Sequence, residues 1–376
     1  MTKHSHSIPA DAALFRNEIL RFFESLRVAD SAGGYGRYRY AACQTRPILY
    51  ASIYSALARH LLNELQSFDV NRKKEWITYI QSFQDDDGFF KDAIIAHPDS
   101  WYVPPHMEWC GWWHLSCHAI MAMTALEGVV GKEFKIIQPF YDETYLHDWL
   151  NRRDQEKFDF VGNEILNLGQ LLQYARDFHH IRPAGRAMEI VFEWLDKTQD
   201  ANTGLWGLKF DTPEDMNKAY QGAYHFYLLY EYDRRPVAYI ERIIDSMLSM
   251  QTALGGFGIF PDRTNTSGCE DIDAIDPLCR YYFKTKYRRE DICQALNRAF
   301  AWVLRNRVAD KGFVFIKDAE MFYGSKYMFS GPQEGSSFAT WWRMLCLAII
   351  AQVQKEHPLA NYPWQFLECP GYQCWR

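Results

Sequence analysis

The sequence predicts an all-α fold: a single domain over residues 1–360, built as a closed double ring of about twelve helices, with an aromatic tail over 361–376 packed against it. Three observations predict it. Aromatic-rich helix ends repeatedly run into a Gln or Arg, and a Gly-aromatic turn follows a few residues later. The anchors at 27, 84, 154, 199, 251 and 307 have a mean spacing of 56 residues, which suits one antiparallel helix pair with its loops. Several helices after the turns are apolar or small on most faces, so neighbouring helices must enclose them.

The clearest copies are Tyr79-Ile80 with Gln84 and Gly88-Phe89-Phe90, and Trp194-Leu195 with Gln199 and Gly204-Leu205-Trp206. A third joins Met247, Gln251 and Gly255-Gly256-Phe257. Weaker copies place Arg27 before Gly33-Gly34-Tyr35 and Arg307 before Gly312-Phe313, while Trp149-Leu150 with Asp154 has no following Gly. Outer helices are expected over Leu14–Leu26, Trp76–Phe83, Ala187–Thr198, Ile240–Met250 and Ile292–Asn306, each ending near a turn. Inner helices are expected over Ile48–Leu65, Trp112–Glu127, Glu164–Phe178, Asn217–Tyr232, Asp271–Phe283 and Ser337–Gln354. Pro104-Pro105 and His357-Pro358 interrupt helices without marking a linker. Trp364, Phe366, Tyr372 and Trp375 make the tail too aromatic for disorder, so it should pack on the barrel or plug one end.

Composition narrows the function classes. In 376 residues, 41 basic side chains face 47 acidic ones, a net charge of −6 that offers no basic field for nucleic acid. Nine scattered Cys without a Cys-x-x-Cys pair indicate neither a zinc site nor a disulfide framework. No 18-residue apolar run appears, so no transmembrane segment is expected, and the N-terminus lacks an apolar signal core; a cytoplasmic protein is the expectation. Aromatics at 16% suit a large core, or a cavity walled by rings that would take sugars, cations or carbocations.

In a ring of helix pairs, the N-terminal ends of the inner helices surround one mouth of the central cavity, and four polar groups fall there. The first is Cys269-Glu270-Asp271-Ile272-Asp273, continuing to Asp276 and Arg280. At helical spacing Cys269, Asp273, Asp276 and Arg280 share a face that Glu270 borders. Two carboxylates one turn apart in a dry cavity cannot both ionise cheaply, so one stays protonated and can serve as a general acid. The competing explanation is an acidic helix N-terminus complementing the macrodipole. The second group is His106, Glu108, Trp112, His114 and His118; the two last are four apart, with Glu108 as an orienting partner, though a core role suits His118 better. The third is Asn163, Glu164 and Asn167, with Asn163 also explicable as a cap. The fourth is Tyr220, Tyr224 and His225, placed for proton transfer or sugar stacking. Opposite these stand Glu334, Trp341, Trp342 and Arg343.

The repeats resemble the QW-type repeats of the terpenoid cyclase and protein prenyltransferase β-subunit superfamily, over nearly the whole chain. That resemblance implies an (α/α)6 toroid. It also implies chemistry: protonation-initiated cyclases of the superfamily carry Asp-x-Asp-Asp with the middle Asp as proton donor. Asp271-Ile272-Asp273 matches its first three positions, which puts the donor role on Asp273. Ala274 stands at the last position and Asp276 is a displaced carboxylate. The prenyltransferase zinc set, an Asp-x-Cys pair with a distant His, is not matched, because Cys269 precedes the acids.

The main expectation is therefore a cyclase-like isomerase of a prenyl substrate, with Asp273 as acid, assisted by Asp271 and Asp276, and with Trp112, Trp341 and Trp342 facing the cation. The alternative is a carbohydrate-active toroid, hydrolase or uronate lyase, acting on an oligosaccharide. There Asp273 pairs with Glu164 or Glu108 across a sugar bond, or Tyr220 or His225 abstracts a proton beside a uronate that Arg280 or Arg343 neutralises. A binding scaffold is the third. No metal or cofactor is expected, Mg²⁺ joining only where the substrate carries a diphosphate.

Overall fold

The computed structural model describes residues 12–29, 34–94, 111–154, 156–259, 265–371 and 375. Glu108, His106, Gly33, Pro104-Pro105 and Tyr372 lie outside them. Twelve α-helices are described: α1 (Ala12–Leu26), α2 (Leu49–Leu61), α3 (Val70–Gln81), α4 (Trp112–Ala125), α5 (Glu143–Asn151), α6 (Phe158–Asp177), α7 (Arg182–Thr198), α8 (Pro213–Tyr232), α9 (Ile240–Ser249), α10 (Gly268–Lys284), α11 (Arg289–Arg305) and α12 (Ser337–Val353). One two-stranded hairpin, β1 (Met321–Phe322) with β2 (Phe329–Ser330), precedes α12.

The even-numbered helices form a ring. Each of α2, α4, α6, α8, α10 and α12 packs on the next, and α12 packs back on α2. The odd-numbered helices lie outside them: α3 on α2 and α4, α7 on α6, α9 on α8 and α10, α11 on α10 and α12, and α1 on α12. The fold is an all-α toroid. None of the described helices is long and apolar enough to cross a membrane.

A small bracket at the end of α1, α3, α7, α9 and α11 makes the repeat. The anchor residue forms an isolated antiparallel bridge with the turn aromatic: Arg27 with Tyr38, Gln84 with Phe90, Gln251 with Phe257 and Arg307 with Phe313. In three copies the anchor amide donates to the carbonyl of the turn glycine, Gln84 to Gly88 at 2.9 Å, Gln199 to Gly204 at 2.8 Å and Gln251 to Gly255 at 2.9 Å. Gly255 sits at φ 101°, and a Cβ there would lie 2.5 Å from the Arg298 carbonyl, so glycine is required twice over. An acceptor on the next inner helix then holds the turn. Phe90 N–H donates to Ser116 Oγ, Phe257 N–H to Asp271 Oδ1 and Phe313 N–H to Thr340 Oγ1. In the first copy Gly36 has positive φ and the bridge forms with Tyr38, downstream of the expected turn at Gly33-Gly34-Tyr35, of which Gly33 lies outside the described residues.

The helices mostly match expectation, with one consequential difference. The helix expected from Glu164 begins at Phe158, since Lys157 at its N-cap contributes no side-chain hydrogen bond and leaves no signal in the sequence. Asn163 is therefore not a cap but lies in the second turn, its amide reaching the Asp159 carbonyl at 3.4 Å. Around the expected tail, Leu367 and Cys369 are buried, the Gln170 amide donates to the Pro370 carbonyl at 2.7 Å, and Trp375 Nε1 donates to Asp276 at 2.9 Å.

Candidate active site

At the mouth where the inner helices begin lies a cavity of about 150 Å³ lined by His114, His118, Asp159, Asn163, Gln221, His225, Cys269, Asp273, Tyr323, Phe338 and Trp342. It draws on five of the six inner helices, which is why its residues are scattered along the chain. Two glycines bring one wall together: a Cβ on Gly162 would meet the Gly222 backbone at 2.6 Å. That close approach sets Asp159 and Asn163 of α6 against Gln221 and His225 of α8.

Asp273 lines this cavity from α10, only 3% exposed. Burial pushes its carboxyl well above the usual carboxylate range, and the neighbouring acids Glu270, Asp271 and Asp276 push it further in the same direction. Pro277 one turn later has no N–H, so the Asp273 carbonyl loses its ordinary helical donor and becomes an additional acceptor beside the acid.

Three imidazoles share the cavity. The His114 and His118 rings are 4.1 Å apart, and the Tyr50 hydroxyl pairs with His114 Nδ1 at 2.7 Å. Carbonyl oxygens only accept, so His118 donates from Nδ1 to the His114 carbonyl (2.9 Å) and His225 from Nδ1 to the Gln221 carbonyl (2.7 Å). In the neutral rings this makes Nε2 an acceptor. Burial pulls His118 and His225 down to about 4, and pulls His114 well below its ordinary value, helped by the other two rings. All three are therefore uncharged near neutrality. Asp159 is also raised by burial, opposed by a backbone hydrogen bond from Phe160 and by the Lys218 charge.

One flank of the cavity is aromatic. Trp342 lies 4.7 Å from Trp341 and 5.7 Å from Phe338, and Tyr323 lies 5.1 Å from Phe338. Trp341 is set behind this flank, fully buried and stacked on Tyr54.

Of the residues singled out from sequence, the cavity gathers Cys269, Asp273, His114, His118, Asn163, His225 and Trp342. Others have different placements. Asp271 accepts from Phe257 N–H (2.9 Å), Thr266 Oγ1 (2.8 Å), Trp302 Nε1 (3.0 Å) and the Arg343 guanidinium, holding the Gly-Gly-Phe bracket where other copies use Ser116 or Thr340. Arg343 is fully buried against Asp271 and the Phe315 and Thr266 carbonyls. Glu270 forms a capping box with Ser267. Asp276 pairs with Arg280 one turn further along α10, and the Arg280 guanidinium lies 4.9 Å from the Trp375 ring centroid. Glu164 pairs with Arg153 at 2.6 Å, and Glu334 accepts from Cys43 N–H at 2.6 Å. Tyr220 donates to the Glu270 carbonyl, Tyr224 stands edge-on to His225, Asn167 is buried against Cys117 of α4, and Trp112 carries the Lys91 ammonium over its ring. Glu108 is outside the described residues.

The cavity adds Asp159, Gln221, Tyr323 and Phe338. Asp159 and Asn163 one turn apart on α6, and Gln221 and His225 one turn apart on α8, were the available signals. Among the described residues, no group of three or more His, Cys, Asp or Glu is arranged to hold a metal ion.

No protein-family model matches this chain. No curated protein matches it either. Among solved structures, a polysaccharide lyase is similar over 91% of this chain and 98% of its own, at 10% identity and a TM-score of 0.48, a likeness too low to carry an argument.

Proposed function

We propose that this chain is a carbohydrate-active α/α toroid that cleaves a glycosidic bond of an oligosaccharide, with Asp273 as the general acid. One observation carries the proposal: the Asp273 carboxyl, whose ionisation burial disfavours, sits in a cavity whose remaining polar lining is neutral hydrogen-bonding groups and the Asp159 carboxyl, flanked by flat aromatic faces. Sugar hydroxyls need both donors and acceptors. The imidazole Nε2 atoms accept, the amides of Asn163 and Gln221 do both, and Trp342 and Phe338 offer faces for the C–H surface of a sugar ring. A carboxyl kept protonated near neutrality can deliver its proton to the leaving glycosidic oxygen.

A second reading keeps Asp273 as acid and gives it the alkene of a prenyl chain, as the superfamily resemblance implies. The Trp341, Trp342 and Phe338 cluster favours it, since aromatic faces stabilise cations. The neutral imidazoles weigh against it, because their acceptor nitrogens would capture a carbocation.

Thermal melting against panels of oligosaccharides and prenyl compounds separates the two. A glycan at 100 times its dissociation constant should add about 2.7 kcal/mol of stability. On a glycan that is turned over, Asp273→Asn should lower kcat by about 10²–10⁴-fold with an unchanged helical spectrum. Full activity in that variant would remove Asp273 from the role, and stabilisation by prenyl compounds alone would remove the carbohydrate reading.

A further inference from the structure

We infer that Asp159 is the second carboxylate of this site, the base that activates water, and that the bond cleaved belongs to an uncharged sugar. The inference rests on the proposed glycan reading and assigns its reaction type, hydrolysis in place of elimination. Asp159 and Asp273 line the same small cavity from different helices, α6 and α10. Asp159 Oδ1 is buried without a hydrogen-bond partner among the described residues, so one carboxylate oxygen is held ready to accept. Of the two acids that sequence suggested for this role, Glu164 is engaged with Arg153 and Glu108 lies outside the described residues.

The surroundings of the two carboxyls pull their acidities apart, which sorts acid from base. Asp273 has three acidic neighbours and is shifted far upward, whereas the Lys218 and Lys157 charges oppose the upward push on Asp159. The same lining argues for a neutral sugar. Elimination beside a uronate requires a group that neutralises its carboxylate, and an anion placed among two carboxyls and three uncharged imidazoles meets no opposite charge from the described lining residues. Arg343 and Arg280, the guanidiniums that could have filled that role, hold Asp271 and Asp276.

The step balances with water alone. Asp273 gives its proton to the glycosidic oxygen as the bond from the anomeric carbon to that oxygen breaks and the electron pair leaves with the oxygen. Asp159 takes a proton from water as the water oxygen bonds to the anomeric carbon. The two carboxyls finish with their protonation exchanged and re-equilibrate through solvent.

The test uses the full chain with matched neutral and uronic oligosaccharides in ¹⁸O-water, with mass spectrometry of the products. The expected result is cleavage of a neutral substrate with one ¹⁸O in the new reducing end. Asp159→Asn should lower kcat by about 10²–10⁴-fold and remove the acidic limb of the pH–rate profile, while Asp273→Asn removes the alkaline limb. The melting temperature and KM of Asp159→Asn should stay close to the parent's. An unsaturated, ultraviolet-absorbing product from a uronic substrate would overturn the inference and leave the glycan reading standing. So would turnover that depends on Asp273 while Asp159→Asn keeps its rate and both limbs. If neither kind of oligosaccharide is bound or cleaved, the glycan reading and this inference fail together.

Discussion

Asp271 and Asp273 lie two residues apart on α10, both essentially buried, yet they do opposite things. Asp271 is surrounded by donors from Phe257, Thr266, Trp302 and Arg343 and ties three segments of chain together. Asp273 has no cationic partner among the described residues and lines a cavity. Two residues along a helix is a rotation of about 200°, so neighbouring acids necessarily address different surroundings. A run of acidic residues is therefore not one site. In α10 it is divided among a cap at Glu270, a bracket at Asp271, a cavity-lining carboxyl at Asp273 and an ion pair at Asp276.

Substitutions should separate these roles. The largest effect on stability is expected from Asp271→Asn, which leaves the fully buried Arg343 without its counter-charge at a cost of about 3–5 kcal/mol, read by denaturant unfolding. A loss below 1 kcal/mol would mean the bracket does not depend on that charge. Asp273→Asn should act on stability through pH. Burial favours the protonated carboxyl in the folded chain, so above the ordinary value of 3.8 the unfolded chain loses the proton first and stability falls as pH rises toward the raised folded value. The Asn variant lacks that fall, and its melting temperature should gain on the parent's between pH 4 and neutrality. An unchanged difference across that range would show that Asp273 ionises normally. Trp375→Phe should have the smallest effect, about 1 kcal/mol, because it removes one hydrogen bond to Asp276 and keeps a ring near Arg280. Turnover on a glycan substrate should stay within a few-fold, and a large loss would tie the two ends of α10 together.

The fold was legible because the bracket requires particular residues. A Gln that reaches the glycine carbonyl, and a Gly that tolerates the corner, leave the same signature each time they recur. The degenerate copy at Asp154 was legible only through its spacing. The site was less legible, for identifiable reasons. Asp159 was missed because α6 starts at an uncapped Lys157, which placed the expected helix six residues late. Arg343 carried no sign that it would meet Asp271, since that pairing spans 72 residues and is set by the packing of α12 on α10. The cyclase-type motif drew Asp271 into the site on spacing alone. Its relation to Ser116 and Thr340, equivalent acceptors in other copies, is visible only in the hydrogen bonds they make.

The closing of the ring has a consequence for how the chain folds. α12 completes the circle against α2, and Glu18 on α1 pairs with Arg307 across 289 residues of sequence. Contacts of such long range carry a large loop-closure entropy and slow folding. A growing chain, synthesised from its N-terminus, holds an arc whose leading apolar flank on α2 stays wet until nearly the whole chain has emerged. Completion is then one late cooperative event, and interrupted synthesis or a nick before α12 should yield sticky arcs prone to aggregation.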